Sequence, residues 1–284
     1  MPELPEVETV CRGLSAALKG AKILSARTRS KGLRSPFPER LGDRLRGGTI
    51  QSFSRRAKYI LMALDGDDTI ILHLGMSGRL IVEPDDPRDP DKNLSRHDHL
   101  VLHCDKDRRL RFHDPRRFGI CDLAANQSLP QHKSLRDLGI EPFDAAFNAD
   151  FLAKAWKGKS ASVKETLMDQ RIVVGIGNIY ACEALYRAGI DPRRKAGTCG
   201  KAQCAKLVEA VRAVLTEAIA SGGSSLRDYR HADGGEGWFQ HSFAVYGRVG
   251  EPCPDCDCEV IKTGGIQRIR QGGRSTFLCS EKQK

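Results

Sequence analysis

The sequence contains no apolar run approaching the roughly 18 residues that a membrane-spanning helix requires. Its first residues, MPELPEVETV, carry neither the basic stretch nor the apolar core of a secretory signal. Together these absences set the expectation of a cytoplasmic protein with no membrane role. No internal repeat or low-complexity tract interrupts the 284 residues, so a solenoid or a repetitive linker is not the reading. Acidic side chains are also in deficit, with 36 Asp and Glu against 46 Lys and Arg, for a formal net charge of +10. A surplus of that size suits a polyanionic partner, and nucleic acid is the usual one. What is present reads as globular: 40% hydrophobic and 29% charged residues, on a length that fits one large or two ordinary domains.

The hydrophobic pattern changes period along the chain. Val7, Val10, Leu14 and Leu18 recur at helical spacing and predict a helix beginning just after Pro5. Short β-rich runs follow at 59–64, 69–74, 79–83, 99–103 and 109–113, separated by Gly, Asp and Pro clusters. Several short strands with turns between them predict an antiparallel sandwich or barrel. Near 138–150 the character shifts, and LGIEPFDAAFNAD reads as an interdomain connection. Beyond it, helices are predicted over 162–169, from Gly177–Asn178 to Ala188, and over 201–220, where Leu207, Val211, Leu215 and Ala218 mark one face. Gly222 and Gly223 stop the last of these, and the polar stretch DYRHADGGEG reads as a loop. From Val245 the tail is a small cysteine-bearing unit. The expected organisation is therefore 1–138 as a first domain, 139–155 as a linker, 156–244 as a helical domain and 245–284 as a hairpin.

Several motifs carry chemistry. Pro2, Glu3, Pro5, Glu6 and Glu8 suit a helix start, where proline is tolerated and acids complement the dipole. They also suit a nucleophile. Methionine before proline is normally trimmed, and the freed α-amine, with a pKa near 8, keeps a useful neutral fraction that can attack a sugar anomeric carbon. Glu3 beside it could carry a proton. Lys58, in RRAKYI, is either a solvated lysine or a phosphate or sugar contact. Met76 lies in a Gly-flanked turn, and Arg116 and Phe118 lie in a turn opened by Asp-Pro; each reads as a packing residue or as part of a wedge that enters a duplex. His97 and His99, at strand spacing, allow a phosphate contact or structural hydrogen bonds more readily than a metal pair. Gly175 and Gly177 leave backbone N–H groups at a helix start, an anion site with Asn178 placed to cap or donate.

Ten cysteines are present. Cys11, Cys104, Cys121, Cys182, Cys199 and Cys204 are scattered and read as free thiols, whereas Cys253, Cys256, Cys258 and Cys279 crowd the C-terminus. Cys253 and Cys256 form a knuckle pair typical of structural zinc. The second pair is incomplete, because Cys279 is followed by Ser280, Glu281 and Lys282. Lys262, Arg268, Arg270 and Arg274 make the arm between the cysteines basic, a common nucleic-acid contact.

Taken in order, PELPEVETV, RRAKY, HLGMSGRL, RHDHL, DPRRFG, DQRIVVGIGNIYACE, GGSSLRDY, VYGRVGEPC and GGRSTF resemble the bacterial formamidopyrimidine-DNA glycosylase family over nearly the whole chain. The resemblance implies an α+β protein of two domains: an N-terminal antiparallel β-sandwich with an N-terminal helix, and a C-terminal helix–two-turn–helix domain with a zinc-finger-like β-hairpin. It implies a monomeric enzyme of base excision repair that binds damaged double-stranded DNA between its domains. Such an enzyme excises 8-oxoguanine and formamidopyrimidines and then cleaves the strand by β,δ-elimination, without a nucleotide cofactor. Pro2 would be the Schiff-base nucleophile, Glu3 the acid beside it, Lys58 a catalytic lysine near sugar and lesion, and Arg274 a phosphate contact that assists elimination. His97, Arg116, Lys159 and Asn178 match DNA contacts, and Met76, Arg116 and Phe118 match the trio that fills the gap left by a flipped base. The loop from Gly223 to about Gly237 matches one that closes over that base. One structural Zn2+ would be held by Cys253, Cys256 and Cys279. Lys282 stands where the family has its fourth cysteine, which leaves the fourth ligand to Cys258 or to none. Cys182 and Ile140 are further departures, away from the chemistry. Two other readings remain open: a non-catalytic DNA-binding paralogue, and an endonuclease VIII-like glycosylase for oxidised pyrimidines.

Overall fold

The computed structural model describes residues 1–86, 88–225, 232 and 235–284. The chain forms two compact units, Met1–Arg136 with Ser221–Trp238, and Asp137–Ala220 with Phe239–Lys284.

The first unit opens with α1 (Leu4–Leu18). Glu3 is its extended N-cap, and Glu6 returns a carboxylate oxygen to the Glu3 N–H at 2.8 Å, the reciprocal bond that satisfies an otherwise orphaned donor. The helix begins before Pro5, slightly earlier than the apolar spacing predicts. Pro5 lies in the first turn, where its missing N–H removes no helical bond. Leu4, Val7, Val10, Cys11, Leu14 and Leu18 are buried on one face.

Eight strands follow: β1 (Ile23–Thr28), β2 (Ile50–Arg56), β3 (Tyr59–Leu64), β4 (Asp68–His73), β5 (Arg79–Pro84), β6 (Asp98–Cys104), β7 (Arg108–His113) and β8 (Ile120–Ala125), with the short α2 (Leu41–Leu45) between β1 and β2. They form two antiparallel sheets, ordered β1-β6-β7-β5 and β2-β3-β4-β8. Met62, Ile70 and Leu72 from one sheet share a buried cluster with Leu80, Leu100, Leu110 and Phe112 from the other and with the apolar face of α1. This is the sandwich that the short β-rich runs and the turns between them predict. The unforeseen strands β1, β2 and β8 are all edge strands. The first two bury little beyond Ile23 and Ile50, so they offer no apolar run to read as a strand. The segment Ser221–Trp238, grouped by the sequence reading with 156–244, packs with this first unit: Ala232 joins the core and its carbonyl accepts the Val82 N–H at 3.0 Å. Most of the loop expected to close over a flipped base, residues 226–231 and 233–234, lies outside the described residues.

The second unit contains α3 (Ala149–Trp156), α4 (Val163–Leu167), α5 (Asn178–Arg187) and α6 (Lys201–Ala220), then α7 (Val260–Thr263) and a hairpin of β9 (Gln267–Gln271) and β10 (Arg274–Leu278). The stretch read as a linker contains α3, capped by the Asn148 side chain, which accepts the Phe151 N–H at 3.0 Å, and anchored by buried Leu152 and Trp156. Arg212 of α6 donates to the carbonyls of Pro142, Asp144 and Phe147, so the segment before α3 is tied into the same unit. No helix among the described residues is long and apolar enough to cross a membrane.

Candidate active site and nucleic-acid interface

Pro2 and Glu3 are both buried at the head of α1. The carboxylate of Glu6, 2% exposed, accepts the Glu3 N–H through Oε2 and the Ser224 N–H through Oε1, each at 2.8 Å. Gly223 has φ +80°, and a Cβ there would lie 3.0 Å from Glu6 Oε1, so glycine allows the loop to reach the helix start.

Lys58 is buried in the two-residue turn between β2 and β3, whose flanking residues Arg56 and Tyr59 pair across the hairpin. Ala57 adopts φ +53°, a left-handed conformation that neighbouring structure must hold for a residue with a side chain. Arg55 supplies that hold. Its Nη1 donates to the Ala57 carbonyl at 3.0 Å, while its Nε donates to Glu8 Oε2 of α1 at 2.9 Å. Burial would raise the Glu8 carboxyl, but hydrogen bonds from Arg12 and Arg55 outweigh it and hold Glu8 below its ordinary value. The turn bearing Lys58 is thereby fixed to the helix that begins with Pro2 and Glu3. His73, the cross-strand partner of Tyr59, is pushed down to about 4 by burial and then by the positive charges of Lys58 and Arg34. Its neutral Nδ1 accepts the Gly75 N–H at 3.0 Å.

A second group gathers on two turns of the same unit. Met76 and Phe118 are 41% and 44% exposed, and the guanidinium carbon of Arg116 lies 4.8 Å from the Phe118 ring centroid. Gly75, at φ +62°, brings the turns together: a Cβ there would sit 2.4 Å from the Phe118 backbone. Fully buried Asp114 locks the arrangement by accepting from Ser77 Oγ at 2.6 Å and from the Gly119 N–H at 2.8 Å. His99 is buried, with its ring nitrogens 2.9 Å from the Asp114 carbonyl and 3.1 Å from Ser30 Oγ. This is the structural use that its spacing allows. His97 stays half-buried, edge-on to His113 at 5.8 Å and 3.2 Å from Arg96 Nε.

In the second unit, Asn178 is the first residue of α5, after the N-cap Gly177. Its Nδ2 donates to the Ser275 carbonyl at 2.9 Å, and its buried Oδ1 has no hydrogen-bond partner among the described residues. Arg274 is exposed at the start of β10, after a turn in which Gly272 and Gly273 have φ of +51° and +75°; two positive φ values in a two-residue hairpin turn favour glycine. Lys159, half-buried after α3, accepts the Gly197 N–H on its carbonyl at 3.0 Å. Two residues here escaped the sequence reading. Lys164, 1% exposed, donates to Thr276 Oγ1 at 2.6 Å and to the Ser275 carbonyl at 3.2 Å, anchoring the strand that follows Arg274. Glu183, also 1% exposed, accepts the N–H groups of Ala244, Val245 and Tyr246 at 2.8 to 3.1 Å, although burial pushes its carboxyl up. For Glu183 the sole signal was an acid inside a largely apolar helix pattern, whereas Lys164, beside Glu165 and Thr166 in VKETL, carried none.

The C-terminal cysteines converge. The sulfurs of Cys253, Cys256, Cys258 and Cys279 all lie within 4.8 Å of one another, the one such metal-capable group among the described residues. Cys279 Sγ is 3.5 Å from Cys256 Sγ and 4.0 Å from Cys258 Sγ. A tetrahedral thiolate site with metal–sulfur bonds near 2.3 Å has sulfurs about 3.8 Å apart, so the donor set fits a thiophilic divalent ion. Burial raises the Cys253 thiol, but the Tyr186 hydroxyl at 3.1 Å and the Asp255 backbone outweigh it and hold it at about 7. Lys282 Nζ pairs with Asp255 and lies 4.1 Å from the Tyr186 ring centroid.

Comparison with known proteins accounts for both units. Residues 1–121 match the formamidopyrimidine-DNA glycosylase N-terminal domain and residues 138–230 the H2TH domain of that enzyme. A formamidopyrimidine-DNA glycosylase of Ruegeria pomeroyi is 50% identical, over 100% of each chain, and one from Paracoccus denitrificans is 52% identical, over 98% of each. Among solved structures, a Lactococcus lactis Fpg mutant in complex with Fapy-dG-containing DNA is similar with a TM-score of 0.89 at 32% identity, over 100% of both chains. MutM (Fpg) from Thermus thermophilus gives 0.85 at 37% identity, over 99% of this chain and 98% of that one. With both units matched and full-length identity near one half, the chain belongs to the formamidopyrimidine-DNA glycosylase family.

Proposed function

We propose that this protein is a monomeric DNA glycosylase of base excision repair that removes oxidised purines from duplex DNA and then cleaves the strand as a lyase. The observation that carries the reading is the Glu8–Arg55–Ala57 connection, which fixes the Lys58 turn to the helix headed by Pro2 and Glu3. Family membership, the relatives named as formamidopyrimidine-DNA glycosylases and the similar Fpg bound to Fapy-dG-containing DNA support the substrate class.

The chemistry follows from the groups present. With Met1 removed, the neutral Pro2 amine attacks C1′ of the damaged nucleotide. The bond from C1′ to the base breaks, and the base leaves with the electron pair and a proton. Loss of the amine proton and opening of the sugar give an iminium, which acts as an electron sink. Removal of a C2′ proton expels the 3′ phosphate, a further elimination expels the 5′ phosphate, and water releases the sugar remnant from Pro2. Glu3 serves as the proton carrier beside the nucleophile. Lys58 supplies positive charge near sugar and lesion, and Arg274 contacts a backbone phosphate. A base must leave the stack for this chemistry, at a cost of a few kcal/mol. Met76, Arg116 and Phe118, raised on turns locked by Asp114, offset that cost by occupying the vacated space. His97, Lys159 and Asn178 supply further contacts to the DNA backbone. The C-terminal cysteines hold one structural zinc, which stiffens the hairpin carrying Arg274.

The test compares excision of 8-oxoguanine opposite cytosine with excision of thymine glycol by Met1-free protein. Preferential release of 8-oxoguanine is the expected result. A preference for thymine glycol would move the enzyme to the pyrimidine branch, and binding without release of either base would leave a DNA-binding protein only.

A further inference from the structure

The C-terminal cysteines depart from the spacing expected of a two-pair zinc site. Lys282 occupies the place of one ligand, and a protonated lysine has no lone pair to give a metal. Three cysteines alone would leave the metal open to a fourth donor, which suits catalysis and not a structural clip. Yet Cys258 Sγ lies 4.0 Å from Cys279 Sγ and belongs to a group of four sulfurs within 4.8 Å of one another. These separations bracket the tetrahedral value of about 3.8 Å and exceed the roughly 2.05 Å of a disulfide bond. Cys258 also packs, half-buried and with Cys256, against the small apolar cluster of Tyr186, Val245, Ile266 and Phe277, which holds the sulfur at the site.

Lys282 has a separate place. Its amine pairs with Asp255, inside the cysteine knuckle, and stacks on the ring of Tyr186, whose hydroxyl lies 3.1 Å from Cys253 Sγ. Four thiolates around a divalent ion carry a net charge of about −2, because each ligand must be deprotonated to bind. A cation paired with Asp255, the residue beside Cys256, offsets part of that charge.

We infer that Cys258 is the fourth metal ligand, giving a Cys253–Cys256–Cys258–Cys279 thiolate site, and that Lys282 acts as its counter-cation. The inference rests on the reading that the cluster holds zinc. The single knuckle therefore supplies three of the four ligands, and β10 leads into the remaining one.

The test reads metal and not glycosylase activity. Full-length protein is purified under reducing conditions, its zinc is measured, and the metal is replaced with cobalt to record the thiolate-to-cobalt charge-transfer spectrum. The wild type holds about one zinc per chain with a four-thiolate spectrum. Cys258→Ser loses about a quarter of the charge-transfer intensity and binds zinc at least about tenfold more weakly in chelator competition. Lys282→Ala keeps its stoichiometry and spectrum and weakens binding only a few-fold. The double variant Cys258→Ser/Lys282→Cys regains both, which separates loss of a ligand from failure to fold. Wild-type spectrum and affinity in Cys258→Ser would overturn the ligand assignment while leaving the zinc reading intact. Loss of metal in Lys282→Ala would make Lys282 the ligand instead. Wild-type protein without metal after zinc supplementation would overturn the zinc reading itself.

Discussion

The carboxylate of Glu6 accepts the backbone N–H of Ser224, 218 positions along the chain, at 2.8 Å, while its other oxygen holds the N–H of Glu3 at the same distance. One buried side chain therefore sets the position of the proposed proton carrier and of the loop segment 222–225. Glu6→Gln keeps the shape but turns one acceptor into a donor facing an N–H. Leaving that buried N–H unsatisfied costs about 1–3 kcal/mol. Urea unfolding should show a loss of that size, with reduced excision even where folding is complete. Wild-type stability and activity would show that Glu6 is a passive cap.

Arg55 links α1 to the Lys58 turn through Glu8 and the Ala57 carbonyl. Its removal frees a turn held at a strained φ, and a misplacement of about 1 Å costs up to ~10²-fold in rate. Arg55→Ala should lower the single-turnover rate between about tenfold and that limit, with little change in affinity for undamaged duplex. Arg55→Lys should not rescue, because an ammonium cannot reproduce the guanidinium fork. Equal losses in affinity and rate would instead make Arg55 a DNA contact.

Arg116 stacks on Phe118 at 4.8 Å, on turns that Asp114 and Gly75 hold together. Arg116→Ala should relax the preference for the base opposite the lesion by about 1–3 kcal/mol, the usual size of a side-chain contact to a base edge. Phe118→Ala should slow excision without changing that preference. Ratios of kcat/KM for cytosine and adenine opposite 8-oxoguanine separate the two effects.

His73 sits at about 4 because of burial and the nearby charges of Lys58 and Arg34. The unfolded chain takes up this proton near pH 6.5, so between about 6.5 and 4 the unfolded state holds more protons. Stability conferred by neutral His73 is present above pH ~6.5 and is lost as the pH falls toward ~4, by a few kcal/mol in all. His73→Asn, whose Oδ1 can accept the Gly75 N–H, should flatten this part of the stability profile. An unchanged slope would place the acid sensitivity elsewhere.

Much of this was legible in the sequence, for identifiable reasons. The five β-rich runs bounded by Gly, Asp and Pro clusters, the helix over 201–220 and the helix start at Asn178 all announce themselves by composition, period or glycine. The edge strands β1 and β2 do not, since they bury little beyond one apolar residue each. The motifs at Pro2, Lys58, Met76 and Phe118 could be noted from the sequence, but the devices that hold them could not. Arg55, Glu6 and Asp114 are charged residues whose partners lie far along the chain or across a turn, and no local pattern encodes such a partner. The sequence left the fourth ligand open between Cys258 and none, because a Cys-x-Cys pair looks cramped until the backbone shows both sulfurs within reach of Cys279.

The proposed chemistry begins at the Pro2 amine. Borohydride trapping of Met1-free protein on an 8-oxoguanine duplex, followed by peptide mapping of the adduct, tests it most directly. The expected result is a covalent adduct on the N-terminal peptide at Pro2, absent when any residue precedes Pro2. An adduct mapped to Lys58 or another lysine, or trapping that persists with the N-terminus blocked, would contradict it.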